Sequence, residues 1–389
     1  MVTRSEKSGE SENWLRFFIE DSRSVGVLLL TCTAISLYVS NQSFGIQWLR
    51  FWHTELPAFQ RLLLPHSYLH FINDGLMAVF FFLVGMEIKR EMVEGELASA
   101  KKAALPVVAA LGGMLVPALL FILLNRGTGN MRGWAIPAST DIAFSLGIAA
   151  LLGRRVPASL KIFLTALAIM DDLGAIMIIA FFYGDPVRWW FFIASLLLIW
   201  VIYQLNSKLK KFGILQLAMG ILLWWLVYNS GIHSTVAGVL FAFLVPKDQL
   251  ARLEHKLDRP VNLGIIPVFA LANTAIIFPE NIAGALNSPL SWGIILGLFV
   301  GKPVGIFVSS YLLVKGKKAA LPAGVDWPQL VGAGLLAGIG FTMSLFISSL
   351  AFPGGHAEDN AKIAVLAGSC LSILGGYTWL RVFTKKRIE

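Results

Sequence analysis

Charge is scarce in this chain. Only 14% of its 389 residues are Asp, Glu, Lys or Arg, against roughly a quarter in an ordinary soluble domain. With 56% hydrophobic residues and a mean hydropathy of +0.71, a soluble globular architecture is excluded. Cysteine is almost absent. Cys32 and Cys370 lie at opposite ends of the chain inside apolar segments, which gives neither a disulfide framework nor a metal motif. No glycine-rich phosphate loop ending in Lys-Ser or Lys-Thr occurs, so ATP-driven pumping is disfavoured and no cofactor is expected. Residues Met1 to Glu20 are polar and mixed in charge, unlike a cleavable signal peptide, which is basic and then immediately apolar. The net charge of +9 would suit nucleic acid as a partner. The basic residues instead sit in short connections between apolar runs, which is a topology signal.

Those apolar runs are what the sequence has in abundance. Their lengths predict an all-α polytopic membrane protein, one transmembrane domain over 1–389 with about twelve spans in the lipid bilayer. The spans fall near 24–41, 68–88, 103–124, 131–151, 158–183, 187–206, 212–227, 231–246, 261–279, 290–314, 328–351 and 361–383. Every second connection is basic. The series begins with Arg4, Lys7, Arg16 and Arg23, and continues through Lys89, Arg90, Lys101 and Lys102, then Arg154, Arg155 and Lys161, then Lys208, Lys210 and Lys211. It ends with Lys247, Arg252, Lys256 and Arg259, then Lys315, Lys317 and Lys318, and finally Arg381, Lys385, Lys386 and Arg387. This alternation places both termini in the cytoplasm and requires an even span count. The longest outside connection, 42–67, carries Phe44, Ile46, Trp48, Leu49, Phe51 and Trp52. It is too apolar for a free linker and is expected to lie on the membrane or at a partner interface.

Two spans are interrupted. The fourth contains Pro137-Ala138-Ser139-Thr140-Asp141, where proline removes a backbone donor and the following side chains offer replacement partners. The eleventh carries Gly332, Gly334, Gly338 and Gly340 before Phe341-Thr342-Met343-Ser344. Interrupted spans in corresponding positions of two halves point to the binding site of a transporter.

Within the fifth span Asp171 and Asp172 stand side by side in an apolar run. A charge near mid-bilayer costs at least ~2.5–3.5 kcal/mol, a burden expected of carboxylates that handle a cation or a proton; a packing role is the bland alternative. Neighbouring helix positions differ by about 100°, so one carboxylate can face a cavity while the other pairs with another helix. Lys302 lies deep in the tenth span behind a stripe formed by Gly293, Gly297, Gly301 and Gly305. Glycines at that spacing let another helix approach closely. The lysine either snorkels to an interface or pairs with Asp171, Asp172 or Asp141. Thr140 and Asp141 are further candidates at the break; Asp141 can instead, or in addition, cap a half-helix. Asp74 is either an access-pathway residue or a helix cap. Glu87, Lys89, Arg90, Glu91, Glu94 and Glu96 crowd the cytoplasmic end of the second span, where a solvated helix end is the plain reading. His233 and His255 titrate near neutrality, although a lone histidine is more often structural.

The motifs Pro137-Ala138-Ser139-Thr140-Asp141-Ile142-Ala143-Phe144, Ala168-Ile169-Met170-Asp171-Asp172-Leu173-Gly174-Ala175, Gly301-Lys302-Pro303 and Gly338-Ile339-Gly340-Phe341-Thr342-Met343-Ser344 resemble those of the NhaA family of bacterial sodium/proton antiporters. Ile72-Asn73-Asp74 and Phe82-Leu83-Val84-Gly85-Met86-Glu87-Ile88-Lys89-Arg90-Glu91 add to the likeness, which covers nearly the whole chain in order. It implies crossed, interrupted fourth and eleventh helices, inverted repeats near 103–183 and 290–383, and a homodimer in the bacterial inner membrane joined partly through a periplasmic loop, 42–67. It further implies Asp172 as principal sodium ligand and proton carrier, with Asp171 as the second carboxylate in a salt bridge with Lys302. Thr140 and Asp141 would line the crossing, and Glu87, Arg90, Glu91, Glu254, His255 and His233 would serve the pH response. One departure is Asp258, where some family members carry a histidine. The implied activity is transport rather than enzymatic chemistry: electrogenic, pH-regulated exchange of cytoplasmic Na+ or Li+ for external protons, for sodium and pH homeostasis. A proton-coupled symporter of a small organic ion is the runner-up, and an intramembrane protease a third reading from another class.

Overall fold

The computed structural model describes residues 22–208 and 212–384. Arg4, Lys7, Arg16, Lys210, Lys211, Lys385, Lys386 and Arg387, which contribute to the expected orientation, lie outside them. The described residues are predominantly helical; their sole β element is an isolated bridge between Glu55 and Ser67. Water is missing from a bilayer core, so a spanning segment must satisfy its backbone internally, and these apolar runs therefore form helices.

Seven helices are each long and apolar enough to cross a membrane: Tyr68–Val93, Ala100–Leu124, Met131–Leu151, Ala158–Phe182, Trp189–Asn206, Pro289–Lys315 and His356–Phe383. The count rises to nine if each of two bent pairs is one span. Two shorter apolar helices, Ile214–Ser230 and Thr235–Leu244, follow the sixth span. The expected ninth span begins earlier than its apolar run, because Leu250–Pro260, Val261–Ile265 and Ile266–Asn273 follow one another without a break. Charged residues mark where the apolar layer stops, not where the helix does, so the polar turn bearing Glu254 and Asp258 extends the same rod.

The two bends differ in kind. Trp327–Ala337 and Phe341–Ala351 are inclined by 46°, as halves of one interrupted span. Ser24–Ser40 and Gly45–Trp52 are inclined by 119°, so the second helix turns sideways across the end of the bundle. Trp48 of that helix donates from Nε1 to Ser36 Oγ at 3.3 Å, stacks on Phe51 and meets Trp52 edge-on, leaving Phe44, Ile46 and Phe51 exposed. The apolar 42–67 connection is thus ordered.

Glycines set the approach of the third and tenth spans. A Cβ on Gly301 would come within 2.9 Å of Pro117 Cα, and one on Gly305 would overlap the Gly112 carbonyl. Just ahead of Lys302, residues Gly297–Gly301 form a π-helical turn. Such turns occur where a helix accommodates an irregularity; here Pro303, which lacks a backbone donor, follows at once.

Overpacking of this kind costs about 1–3 kcal/mol. Gly305→Ala is therefore expected to lower unfolding stability in mild detergent by that order. Gly264→Ala, whose new Cβ would meet nothing within 4 Å, should not. Equal melting temperatures for the two variants would contradict the close helix approach.

Candidate functional site

The fourth span opens as tight 3-10 turns over Met131–Ala138, extends through Ser139, Thr140 and Asp141, and resumes as α-helix at Ile142–Leu151. Its break lies against the Gly338–Gly340 break of the eleventh span. Asp141 N donates to Ile339 O at 2.6 Å, and Ser344 Oγ donates to Ile136 O at 2.7 Å. The Thr140 hydroxyl lies 2.9 Å from Ala337 O. Backbone groups freed by one interruption are thus met by the other, as lipid-embedded backbone requires.

Helix ends brought this deep carry partial charges of opposite sign, and two ionisable side chains face them. Asp141 accepts from Phe144 N through Oδ1 at 3.1 Å. Through Oδ2 it accepts from Thr342 N at 3.1 Å and Thr342 Oγ1 at 2.5 Å. One carboxylate thereby caps the positive ends of two half-helices from different spans. Lys302 Nζ donates to Ala138 O at 2.6 Å, the carbonyl at the negative end of the first half of the fourth span. The lysine is fully buried and does not snorkel.

Asp171 and Asp172 are both buried on Ala158–Phe182, and the helical rotation between them separates their surroundings. Asp171 Oδ2 is 2.7 Å from Lys302 Nζ and accepts from Thr140 Oγ1 at 2.5 Å. Asp172 receives no hydrogen bond from any described residue, and its Oδ1 is buried without a partner. It lines a cavity of about 240 Å³ together with Thr140, Asp141, Thr342, Glu87, Asp258, Arg259 and Asn262. A carboxylate buried without donors is an uncompensated acceptor, suited to a cation or a proton. Among the described residues no cluster of three or more His, Cys, Asp or Glu forms a metal centre. Ligation of a hard alkali ion would combine one or two carboxylates with hydroxyl, carbonyl or water oxygens, and Thr140, Thr342 and the broken backbone supply the first two.

The remaining candidates divide between this cavity and its periphery. Glu87 lines it, while Arg90 Nε lies 3.0 Å from Glu254 Oε2 and Arg90 Nη2 lies 3.9 Å from Glu91 Oε1. His255 is exposed on the outer face of the same helix as Glu254. Asp258, Arg259 and Asn262 line the cavity instead, with Asn262 Nδ2 donating to Asp258 Oδ1 at 2.7 Å. Asn262 carries no sequence signal beyond its i+4 relation to Asp258. Thr342 is recognisable in the glycine-rich break, but its partner Asp141 is 201 residues away. Asp74 is not the helix cap: Ser67 is, accepting from His70 N at 3.2 Å. Asp74 instead accepts from Ser234 Oγ at 2.7 Å, with His233 Nδ1 at 3.9 Å. The adjacent Asn73 exchanges side-chain amide hydrogen bonds with Asn273.

Comparison with known proteins gives a consistent result. The family described as Na+/H+ antiporter 1 matches residues 16–380. A protein named Na(+)/H(+) antiporter NhaA 1 from Flavobacterium johnsoniae is 45% identical over 371 residues, 94% of this chain and 95% of the relative. Na(+)/H(+) antiporter NhaA from Aliivibrio salmonicida is 44% identical over 383 residues, covering 96% and 98%. The protein of that name from Brucella ovis is 40% identical over 402 residues, covering 99% and 100%.

Removing one member of a buried ion pair costs roughly 3–5 kcal/mol, because the other charge is left alone. Lys302→Ala is expected to lower thermal stability accordingly. Asp171→Asn combined with Lys302→Gln should recover part of the loss, since no lone charge remains. A double variant no more stable than Lys302→Ala would show that the pairing does not govern stability.

Outside the membrane-spanning segments, burial pushes the Glu254 carboxyl up despite the Arg90 guanidinium, with Asp258 and Glu91 adding to the rise. A carboxyl raised in the folded state favours folding fully only below the ordinary glutamate value of about 4.3. That contribution fades as pH rises through the raised value. Glu254→Gln should therefore lack this decline: its melting temperature relative to the unsubstituted protein should rise between pH 4.5 and pH 8. A constant difference over that range would contradict the burial effect.

Proposed function

The chain belongs to the Na+/H+ antiporter 1 family, and on that premise we propose that it extrudes cytoplasmic Na+, or Li+, in exchange for external protons, with net charge movement and pH regulation. The reading places it in a bacterial inner membrane with both termini cytoplasmic, which agrees with the alternation of basic connections. A homodimer meeting through the 42–67 segment fits the exposed Phe44, Ile46 and Phe51 on that ordered connection.

The observation that carries the proposal is the division of labour between the two adjacent aspartates. Asp171 is ion-paired with Lys302 and accepts from Thr140, both through Oδ2, with Oδ1 left free, whereas Asp172 faces the cavity with no donor among the described residues. In the proposed cycle a sodium ion enters from the cytoplasmic side, displaces a proton from Asp172 and takes oxygens from Thr140 and the crossing. Its charge weakens the hold of Asp171 on Lys302, and the pair releases a second proton from one of its members. When the site turns outward, sodium leaves and protons rebind. Cation and protons thus compete for one set of atoms, which couples their movements without an energy source beyond the gradients.

Two protons inward per sodium outward carry one net positive charge inward. An interior-negative potential then supplies about 2.3 kcal/mol per 100 mV per cycle. The inverted repeats proposed near 103–183 and 290–383 would let the crossing face either side by rocking of one bundle against another. Glu87 at the cavity and the Arg90–Glu254–Glu91 group beside it are the proposed pH-responsive elements, with His233 beside Asp74 on an access route and His255 a peripheral member. A cavity of about 240 Å³ is smaller than the ~300–1,000 Å³ usual for small-molecule pockets, which supports an ion over the organic cargo of a symporter.

In sodium-loaded proteoliposomes, dilution into sodium-free buffer is expected to acidify the lumen in the presence of the unsubstituted protein. Asp172→Asn, which keeps the shape of the side chain but cannot exchange its charge, should abolish this while leaving the melting profile close to unchanged. Full exchange by Asp172→Asn would sink the assignment of this carboxylate.

A further inference from the structure

The tenth span ends in a helix cap that departs from the usual chemistry. Lys317 N donates to Val314 O at 2.9 Å and Lys318 N to Leu313 O at 3.1 Å, the bonding pattern of a Schellman cap. The residue that must adopt the left-handed conformation there is normally glycine, yet it is Lys317, at φ 56, while Gly316 precedes it. A lysine is held in a conformation that glycine would adopt without strain.

The side chains around this cap line an open surface depression of about 690 Å³, bordered by Lys101, Lys317, Lys318 and Trp327 among others. No carboxylate lines it, and none of the three lysines is ion-paired among the described residues. The neighbouring Lys102, by contrast, meets Glu96 at 3.5 Å. Three uncompensated ammonium groups, one at the start of the third span and two in the turn after the tenth, make a positive pocket at the end of the bundle that carries the basic connections.

Trp327 joins this pocket to a second feature. Its ring packs edge-on against Phe307 at 5.5 Å and Tyr311 at 5.4 Å. Phe307 in turn lines an apolar groove of about 540 Å³ between the tenth, eleventh and twelfth spans, with Phe299, Pro303, Val304, Leu335 and Trp379. The groove runs from the lysine end toward mid-membrane, and contains no carboxylate either. A positive pocket at the bilayer surface, adjoining an apolar trough that descends along the same helices, matches the two chemistries of one lipid molecule. Basic pockets between spans on the cytoplasmic side bind anionic headgroups, and the aromatic residues between the two parts suit the interfacial level.

We propose that the lysine pocket and the adjoining groove form a binding site for one anionic glycerophospholipid of the cytoplasmic leaflet. Its phosphate lies among Lys101, Lys317 and Lys318, and an acyl chain lies against Val304, Phe307 and Leu335. The proposal rests on the orientation given above. It also gives the lipid a place in the mechanism, because the groove wall includes Pro303, the residue after Lys302. A bound chain there braces the tenth span behind the Lys302–Asp171 pair.

The test uses the purified full-length protein in neutral detergent, with melting temperature as the readout, so its outcome does not depend on transport. Added phosphatidylglycerol is expected to raise the melting temperature by several degrees more than added phosphatidylcholine. Lys101→Gln, Lys317→Gly and Lys318→Gln together should remove that difference, with glycine at 317 preserving the cap. Val304→Trp, which fills the groove, should shrink it. Neutralising Arg252 and Lys256 instead should leave it intact. Because each variant is its own reference between two lipids, a uniform loss of stability does not mask the result. On the unsubstituted protein alone, native mass spectrometry should retain phosphatidylglycerol in preference to phosphatidylcholine. A triple lysine variant that keeps the full phosphatidylglycerol gain overturns the proposal. So does equal retention of the two lipids, or an equal gain from glycerol phosphate without acyl chains.

Discussion

A hydrocarbon layer offers no water to a broken helix, and the rest of this structure depends on how that demand is met. Two interrupted spans are placed so that each satisfies the other. Asp141 N reaches Ile339 O, Thr140 lies against Ala337 O, and Ser344 returns to Ile136 O. Neither break could persist alone at that depth, because every unpaired backbone group there costs several kcal/mol. The crossing is therefore a mutual arrangement, and the glycines at 301 and 305 bring the tenth span close enough to support it.

Once the helix ends are brought inside, their partial charges have to be answered, and the charged residues of the membrane core follow from that. Asp141 answers two positive ends together, and Lys302 answers the negative end at Ala138. Lys302 then carries a full charge of its own, which Asp171 neutralises. Asp172 is the residue this sequence of compensations leaves over. On the proposed reading, a site in which Asp172 has no donor and Asp171 keeps one free oxygen, Oδ1, offers a cation oxygen ligands without a dedicated cage. In the proposed cycle, a second positive charge entering beside Lys302 disturbs the existing pair. Coupling between ion and proton in that cycle arises from the same electrostatic network that holds the broken helices in place.

Much of this was legible in the sequence because its cues are local. Runs of apolar residues located the spans, Pro137 and the glycines of 332–340 located the breaks, and the adjacency of Asp171 and Asp172 forced their side chains apart by helix geometry. The glycine stripe on the tenth span announced a close neighbour, though not that the neighbour would be the third span. What stayed hidden depends on contacts far apart in the chain. Asp141 was expected to cap one half-helix or join the site, and it caps two, because Thr342 approaches from the other break. By depth alone Lys302 had three candidate partners; the family resemblance pointed to Asp171, and the packing places its Oδ2 2.7 Å from the lysine. Hydropathy puts the start of the ninth span near 261 because it reports the membrane boundary, and the helix continues past it, beginning at Leu250. That extension places Asp258 toward the cavity beside Asn262 and leaves His255 outside.

The central claim is that two titrating groups, Asp172 and the Asp171–Lys302 pair, share one site with a single sodium ion. It is tested most directly on proteoliposomes adsorbed to a solid-supported membrane, by recording charge displacement when a sodium gradient is applied at fixed pH. Inward movement of one net positive charge for each sodium extruded, scaling with the gradient and absent in Asp172→Asn, is the expected result. Exchange of the two ions at full rate without any net current would contradict it, leaving Asp172 as the sole carrier and the Asp171–Lys302 pair with a structural role alone.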